Sequence, residues 1–359
     1  MSDLAEARNA GLSAPRHGYR TLRLGPFSRR LHLRRGLLLL LLVIATFALA
    51  LYALGAGSQD VRLGQALAAL TNPEASVPAL HRIVSDLRLP RILLALACGA
   101  MLGLSGASLQ SLTRNGLADP GLLGVREGAS LAILLLLYNL PGLPLFVRPV
   151  AGIAGGVAAA AVTIVLCGSV SRLRFILTGI GVSWFLSAIV AMVLLAADAD
   201  KMQTAMVWLA GNLAASSWDI VALACAFLVA GAILLFLSAA AGDAAQLGDG
   251  LASGLGVNLK ILAGIRLLAP ILLTAACVSV AGSLGFVGLI APHLARLSIG
   301  GGQMPLLAAS GLWGAILVLA ADTLGRTLFA PLQLPAGIVL AAIGVPALLL
   351  LLWRRRHQL

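Results

Sequence analysis

The residues able to do chemistry in this chain are few and scattered. Its lysines are Lys201 and Lys260; neither follows a Gly-x-x-x-x-Gly or precedes Ser or Thr. There is no phosphate-binding loop, so the chain cannot bind and hydrolyse ATP by that route. Cys98, Cys167, Cys225 and Cys277 lie in separate apolar runs with no C-x-x-C pair. They read as small core residues and imply neither a redox nor a metal framework. His293 is the one histidine inside an apolar run, beside Pro292. A lone imidazole there reads as a hydrogen-bond partner at a helix break rather than a ligand. Glu127 and Asp322 are the acids to weigh for a proton path. An ion-driven secondary transporter needs intramembrane carboxylates or unwound ion sites. One acid near each membrane face makes a thin path, so a driving force supplied by another chain is the better reading. No catalytic residue, bound cofactor or metal site is expected.

The elements around these residues are set by composition. Of 359 residues 60% are hydrophobic and 11% charged, too little charge to cover a soluble domain of this size. The chain reads as an all-α polytopic membrane protein. Its net charge of +12 is concentrated before residue 36 and in Arg354, Arg355 and Arg356. Arginines flanking terminal spans follow the positive-inside pattern rather than a nucleic-acid footprint. Both termini are therefore expected in the cytoplasm, with an even number of spans. A basic tail (1–35) that can grip anionic lipid, a membrane domain (36–353) and a short cytoplasmic tail (354–359) follow. The first apolar run, 36–54, is too long for the core of a cleaved signal.

A spanning helix needs about 20 apolar residues. Dividing the apolar runs at Pro, Gly and charge gives ten spans: 36–54, 92–112, 125–138, 150–170, 175–197, 220–241, 261–280, 284–299, 305–323 and 335–353. The longest external connector is 55–91, with a short helix at 62–70, and 113–124 is a tight cytoplasmic turn. Arg114, Arg172, Arg174, Lys260 and Arg296 then join the terminal arginines inside. Arg62, Arg82, Arg88, Arg91, Arg148, Lys201 and Arg326 fall outside. Gly99, Gly103 and Gly106 let a helix approach its neighbours closely or line a path. A faint echo between 104–108 and 280–284 suggests an inverted repeat.

The stretch 247–296 organises the rest. A polar, glycine-rich handle (242–260) precedes an apolar run, and Gly282, Gly285 and a Pro292-His293 break interrupt what should still be membrane. A handle outside the membrane and a deformable rod within it are what a moving part of a transporter needs.

Five segments in order resemble the permease subunits of type II ATP-binding-cassette (ABC) importers, the FecCD family. They are Leu87-Arg88-Leu89-Pro90-Arg91, SGASLQSLTRNGLADPGLLG from Ser105, GDGLASGLGV from Gly248, GSLGFVGLIAPHLAR from Gly282, and ADTLGR with QLPAGIV from Ala321 and Gln333. The resemblance implies ten helices per subunit with a pseudo-inverted repeat and a second permease subunit, identical or homologous, across a central path. It also implies an ATPase dimer holding ATP and Mg beneath, and a periplasmic or lipid-anchored substrate-binding protein above, in the bacterial cytoplasmic membrane. The expected cargo is an iron(III)-siderophore, of catecholate type by sub-resemblance, with haem or vitamin B12 as alternatives. Gly248, Asp249, Ala252, Gly254, Leu255 and Gly256 match the ATPase coupling loop, with Gly254 and Gly256 expected to make its tight turn. Arg88, Arg91 and Arg326 match external arginines that dock the binding protein and are expected to project above the membrane. Asn115 and Leu117, and Ser171 and Leu173, fall at the cytoplasmic gate. Gly282, Gly285, Pro292 and His293 mark the helix break along the path. Arg126-Glu127 departs from the small polar pair usual before the glycine that Gly128 matches.

Overall fold

A computed structural model describes residues 19–24, 27–57, 61–71, 77–140, 147–168 and 172–355. It opens with an antiparallel hairpin, β1 (Tyr19–Leu24) and β2 (Phe27–His32), registered with Tyr19 opposite His32. The basic approach to the membrane is thus extended, consistent with its aromatic and β-branched residues and the Gly25-Pro26 punctuation. Residues 1–18 lie outside the described set.

The helices are α1 (Leu33–Gly55), α2 (Leu63–Thr71), α3 (Pro78–His81), α4 (Leu89–Thr113), α5 (Val125–Asn139), α6 (Val147–Cys167), α7 (Arg172–Leu195) and α8 (Ala199–Leu209). They continue with α9 (Trp218–Leu237), α10 (Ala239–Gln246), α11 (Asp249–Gly254), α12 (Leu259–Ala281), α13 (Val287–Ser298), α14 (Gln303–Thr327) and α15 (Ala336–Arg355). Each of the ten expected spans is met by a helix: α1, α4 to α7, α9 and α12 to α15. Among the described residues, seven helical stretches are long and apolar enough to cross a membrane. At 15 and 12 residues, α5 and α13 are shorter.

The expected connector before residue 92 is corrected. Helix runs without interruption from Pro78 to Thr113, through a π-helical stretch at Arg82–Arg88. The wide turn has a cause at Pro90, which has no N–H and whose ring crowds the preceding turn. Leu89 N–H donates to Val84 O, five residues back, and the chain stays helical across the proline.

Helix α4 is the centre, packed by α1, α9, α12, α13 and α14. A Cβ on Gly99 would strike the Gly314 carbonyl, one on Gly103 the Ser310 carbonyl, and one on Gly106 the Gly288 carbonyl. These small residues therefore set backbone-to-backbone contacts. In contrast α7 is largely uncovered, with Trp184, Phe185, Met192 and Leu195 exposed.

Candidate translocation and coupling site

The handle is two short helices, α10 and α11, outside the spans. Gly248 (φ 113°) and Gly256 (φ 82°) turn the chain in the left-handed region, where a Cβ is disfavoured. Gly254 was expected at the turn, but it lies inside α11 with no such φ; Gly248 takes that place. Ala252 is fully buried under α11 and accepts from Leu255 and Val257 N–H, closing the C-terminal turn. Asn258 then caps α12 by accepting from Lys260 and Ile261 N–H. Leu247, Leu251 and Leu255 are 63%, 64% and 67% exposed.

The C-terminal end of α4 is tied to this handle. Arg114, held at φ 51°, donates from Nη2 to Ala245 O (2.7 Å) and Asp249 Oδ1 (2.8 Å). Gln246 Nε2 donates to Ser111 O at 3.0 Å. Asn115 folds the next turn by accepting from Leu117 N–H at 2.9 Å. Asn115, Leu117, Gln110, His293 and Arg296 share a cavity of about 540 Å³. The expected gate residues Asn115 and Leu117 thus line one cavity with His293 of α13. Ser171 lies outside the described residues; Leu173 is in the first turn of α7, and its side chain is outside the described set as well.

The helix break lies at the glycine end of the expected stretch and does not extend to its proline. Helix α13 runs through Pro292, and the interruption is at 282–286, where Gly282 (φ 73°) and Phe286 (φ 67°) are left-handed. Pro292 still has a consequence: lacking an N–H, it leaves the carbonyl four residues back, Gly288 O, without its helical donor. Gln110 Nε2 supplies one at 3.3 Å, while Gln110 Oε1 accepts from Arg296 Nη1 at 2.6 Å. Pro270 inside α12 frees Arg266 O in the same way, and Ser108 Oγ donates to it at 3.0 Å. Two prolines on two helices are therefore served by two polar residues of α4. Sequence reading missed Gln110, although its polarity inside an apolar run was a usable signal.

Arg266 was missed too. It is 2% exposed within α12 and donates to Ser238 Oγ (3.1 Å), Ser238 O (3.2 Å) and Gln303 Oε1 (2.6 Å). Asp243, at the start of the handle, accepts from Gln303 N–H at 2.7 Å. The handle is thereby linked to α12 and α14 as well as to α4.

At the opposite end the arginines do not project, which corrects the expectation. Arg88, Arg91 and Arg326 are 7%, 9% and 5% exposed. Asp322 accepts from Arg91 Nε (3.0 Å) and Nη2 (2.8 Å) and from Arg326 Nε (3.1 Å). Arg88 Nη1 donates to Leu54 O and Gly55 O, and Arg326 to Ala53 O and Ala56 O. The physical reason is the helical extension before α4, which carries Arg88 and Arg91 inward onto α1 and α14. Asp322, one of the acids weighed for a proton path, is committed to these arginines.

Glu127 also lies deeper than expected. The turn after α4 folds back into the bundle: a Cβ on Gly288 would sit 2.8 Å from Asp119 Oδ2 and 3.5 Å from Leu102 O. Leu102 is eleven residues above the end of α4, roughly 16 Å at the helical rise. Helix α5 is short because it starts from this depth.

The match to the FecCD transport family model runs over residues 41–354. The chain belongs to that family. It is 38% identical over 341 residues to the achromobactin transport system permease protein of Dickeya dadantii (strain 3937), covering 93% of this chain and 96% of that one. It is 36% identical over 329 residues to the hemin transport system permease protein of Yersinia pestis, covering 90% and 96%. A solved chain described as an inward-facing, metal-chelate type ABC transporter superposes with a TM-score of 0.78 at 29% identity, covering 89% of this chain and 99% of that one. This FecCD permease is a multi-pass membrane subunit of the metal-chelate ABC importer family, and the segments expected to couple, gate and break fall within the matched region.

Proposed function

We propose that this permease carries an intact iron(III)-siderophore across the bacterial cytoplasmic membrane, with both termini in the cytoplasm. A substrate-binding protein delivers the chelate, a second permease subunit completes the path, and an ABC ATPase dimer holding ATP and Mg drives it. The observation that carries the reading is the handle. Leu247, Leu251 and Leu255 are exposed apolar residues on a polar, glycine-rich segment outside the spans. Exposed apolar side chains placed so mark a surface for a partner, and Arg114–Asp249 ties that surface to the helix leading into the gate cavity. ATP binding next door can then shift which end of the path is closed.

An intact chelate fits the lining better than a bare metal ion. A free ion would need oxygen, imidazole or thiolate ligands to replace its water. Among the described residues no cluster of three or more His, Cys, Asp or Glu is placed to hold one. The relatives' names, for achromobactin, hemin, iron(3+)-hydroxamate and iron(3+)-citrate systems, support a chelate as cargo. Arg88, Arg91 and Arg326 act in this reading as a buried excess of positive charge over Asp322, which attracts acids of the docking protein.

The test uses proteoliposomes containing the whole complex. Radiolabelled iron should enter only when a siderophore is supplied, with chelator and metal arriving in equal amounts. Uptake of unchelated metal at a comparable rate would overturn the reading.

A further inference from the structure

We infer that Arg126, held by Glu127, is a specificity-determining contact for a chelate that bears negatively charged oxygens; this deepens the reading of the chain as a siderophore permease. Both residues sit on the first turn of α5, just after the chain folds back into the bundle at Asp119. A guanidinium at that depth faces the bundle interior or a water-filled path. The Arg126 side chain is 40% exposed while that of Glu127 is 9% exposed, so the cation is presented and the anion turned inward.

The pair is only half made. Arg126 Nε and Nη2 both donate to Glu127 Oε1, at 3.0 and 2.9 Å. Glu127 Oε2 is buried and has no hydrogen-bond partner among the described residues. A full fork would engage both carboxylate oxygens. The other guanidinium edge, at Nη1, points toward Gly285 in the break between α12 and α13. A Cβ built on Gly285 would meet Nη1 at 3.9 Å and no other atom within 4 Å. Gly285 therefore leaves room in front of the guanidinium. The positive ends of α5 and of α13 flank this space, which adds to its preference for anions.

The group left facing this space is one guanidinium edge, since Glu127 Oε2 is turned inward and buried. Its complement is an oxyanion. An iron(III) tris-catecholate presents such oxygens and has net negative charge, whereas an iron(III) trihydroxamate is neutral. The contact selects the first class over the second. Glu127 is a positioning residue: it fixes the orientation of Arg126.

The test measures uptake of iron(III) tris-catecholate by proteoliposomes holding the whole complex, with wild-type, Arg126→Lys, Arg126→Gln and Arg126→Gln/Glu127→Gln permeases. Losing one charge-assisted contact should lower uptake about tenfold in Arg126→Gln, and Arg126→Lys should keep most of it. A merely structural ion pair would be rescued in the double variant, which no longer buries an unpaired carboxylate; here the double variant stays low although it assembles with the ATPase. Where wild-type vesicles also carry the neutral trihydroxamate, its uptake should change less than twofold in every variant. Restored catecholate uptake in the double variant, equal losses for both chelates, or a wild type that carries only the neutral one would overturn the inference. Wild-type vesicles that carry neither chelate would instead refute the siderophore reading itself.

Discussion

Replacing Asp322 by Asn tests whether the arginine cluster at the end of the bundle opposite the handle is structural. Asp322 is 1% exposed and accepts from Arg91 and Arg326 at 2.8–3.1 Å. Asn keeps the shape but removes the charge that compensates these guanidinium groups. Breaking a buried ion pair on one side costs about 3–5 kcal/mol, because the remaining charge is left uncompensated. Arg91 still has Gln333 Oε1 at 3.0 Å, and Arg326 still has the Ala53 and Ala56 carbonyls. Those contacts place the loss at the lower end, about 3 kcal/mol, or on the order of a hundredfold in the folding equilibrium. The assay is denaturant titration of the purified permease in mild detergent, with Arg326→Gln and the double variant completing a cycle. The double variant should be less destabilised than the sum of the singles by at least about 1 kcal/mol. A loss under about 0.5 kcal/mol in Asp322→Asn, with additive singles, would refute a cluster held by charge pairing.

Leu255→Asp should leave stability within about 0.5 kcal/mol, since the side chain is exposed, yet weaken binding of the ATPase about tenfold or more; pull-down with the purified ATPase measures it. Gln110→Leu strips Gly288 O and Arg296 of a partner and should destabilise by about 1–3 kcal/mol, read as a lowered midpoint in the same titration, with Gln110→Glu losing less. Gly314→Val drives a side chain into the Gly99 carbonyl and should cost about 3 kcal/mol or more, seen as loss of monodisperse protein on gel filtration. Arg114→Ala should leave the fold intact but lower the number of chelates carried per ATP hydrolysed.

The spans were legible in the sequence because a helix in lipid must satisfy its backbone internally, so each apolar run becomes one element. The handle at 242–260 was legible for the complementary reason: glycine and polar residues between two apolar runs leave nowhere else for the chain to turn. Residues 78–91 were not. Their charges and Pro90 read as a connector, yet a π-helical stretch lets the helix run on through the proline. The three arginines were recognised by their motifs and misplaced for the same reason, since their burial depends on carbonyls of α1 and on Asp322, which is 231 residues from Arg91.

Pro292 shows the limit most clearly. In sequence a proline inside a span marks a broken helix, and the expectation let the break run on from Gly282 and Gly285 to Pro292-His293. The chain breaks earlier, at 282–286, where Gly282 and Phe286 take left-handed conformations, and the proline instead frees one carbonyl within an intact helix. What repairs that carbonyl is Gln110, 178 residues away. Gln110 also holds Arg296 and lines the 540 Å³ cavity with Asn115 and His293. A movement of α13 against α4 must therefore exchange the Gln110–Gly288 bond for another donor or leave a carbonyl unsatisfied in an apolar bundle. The two prolines and their two partners on α4 thus join helix geometry to the state of the proposed gate, and a rearrangement there favours discrete positions over a continuous slide.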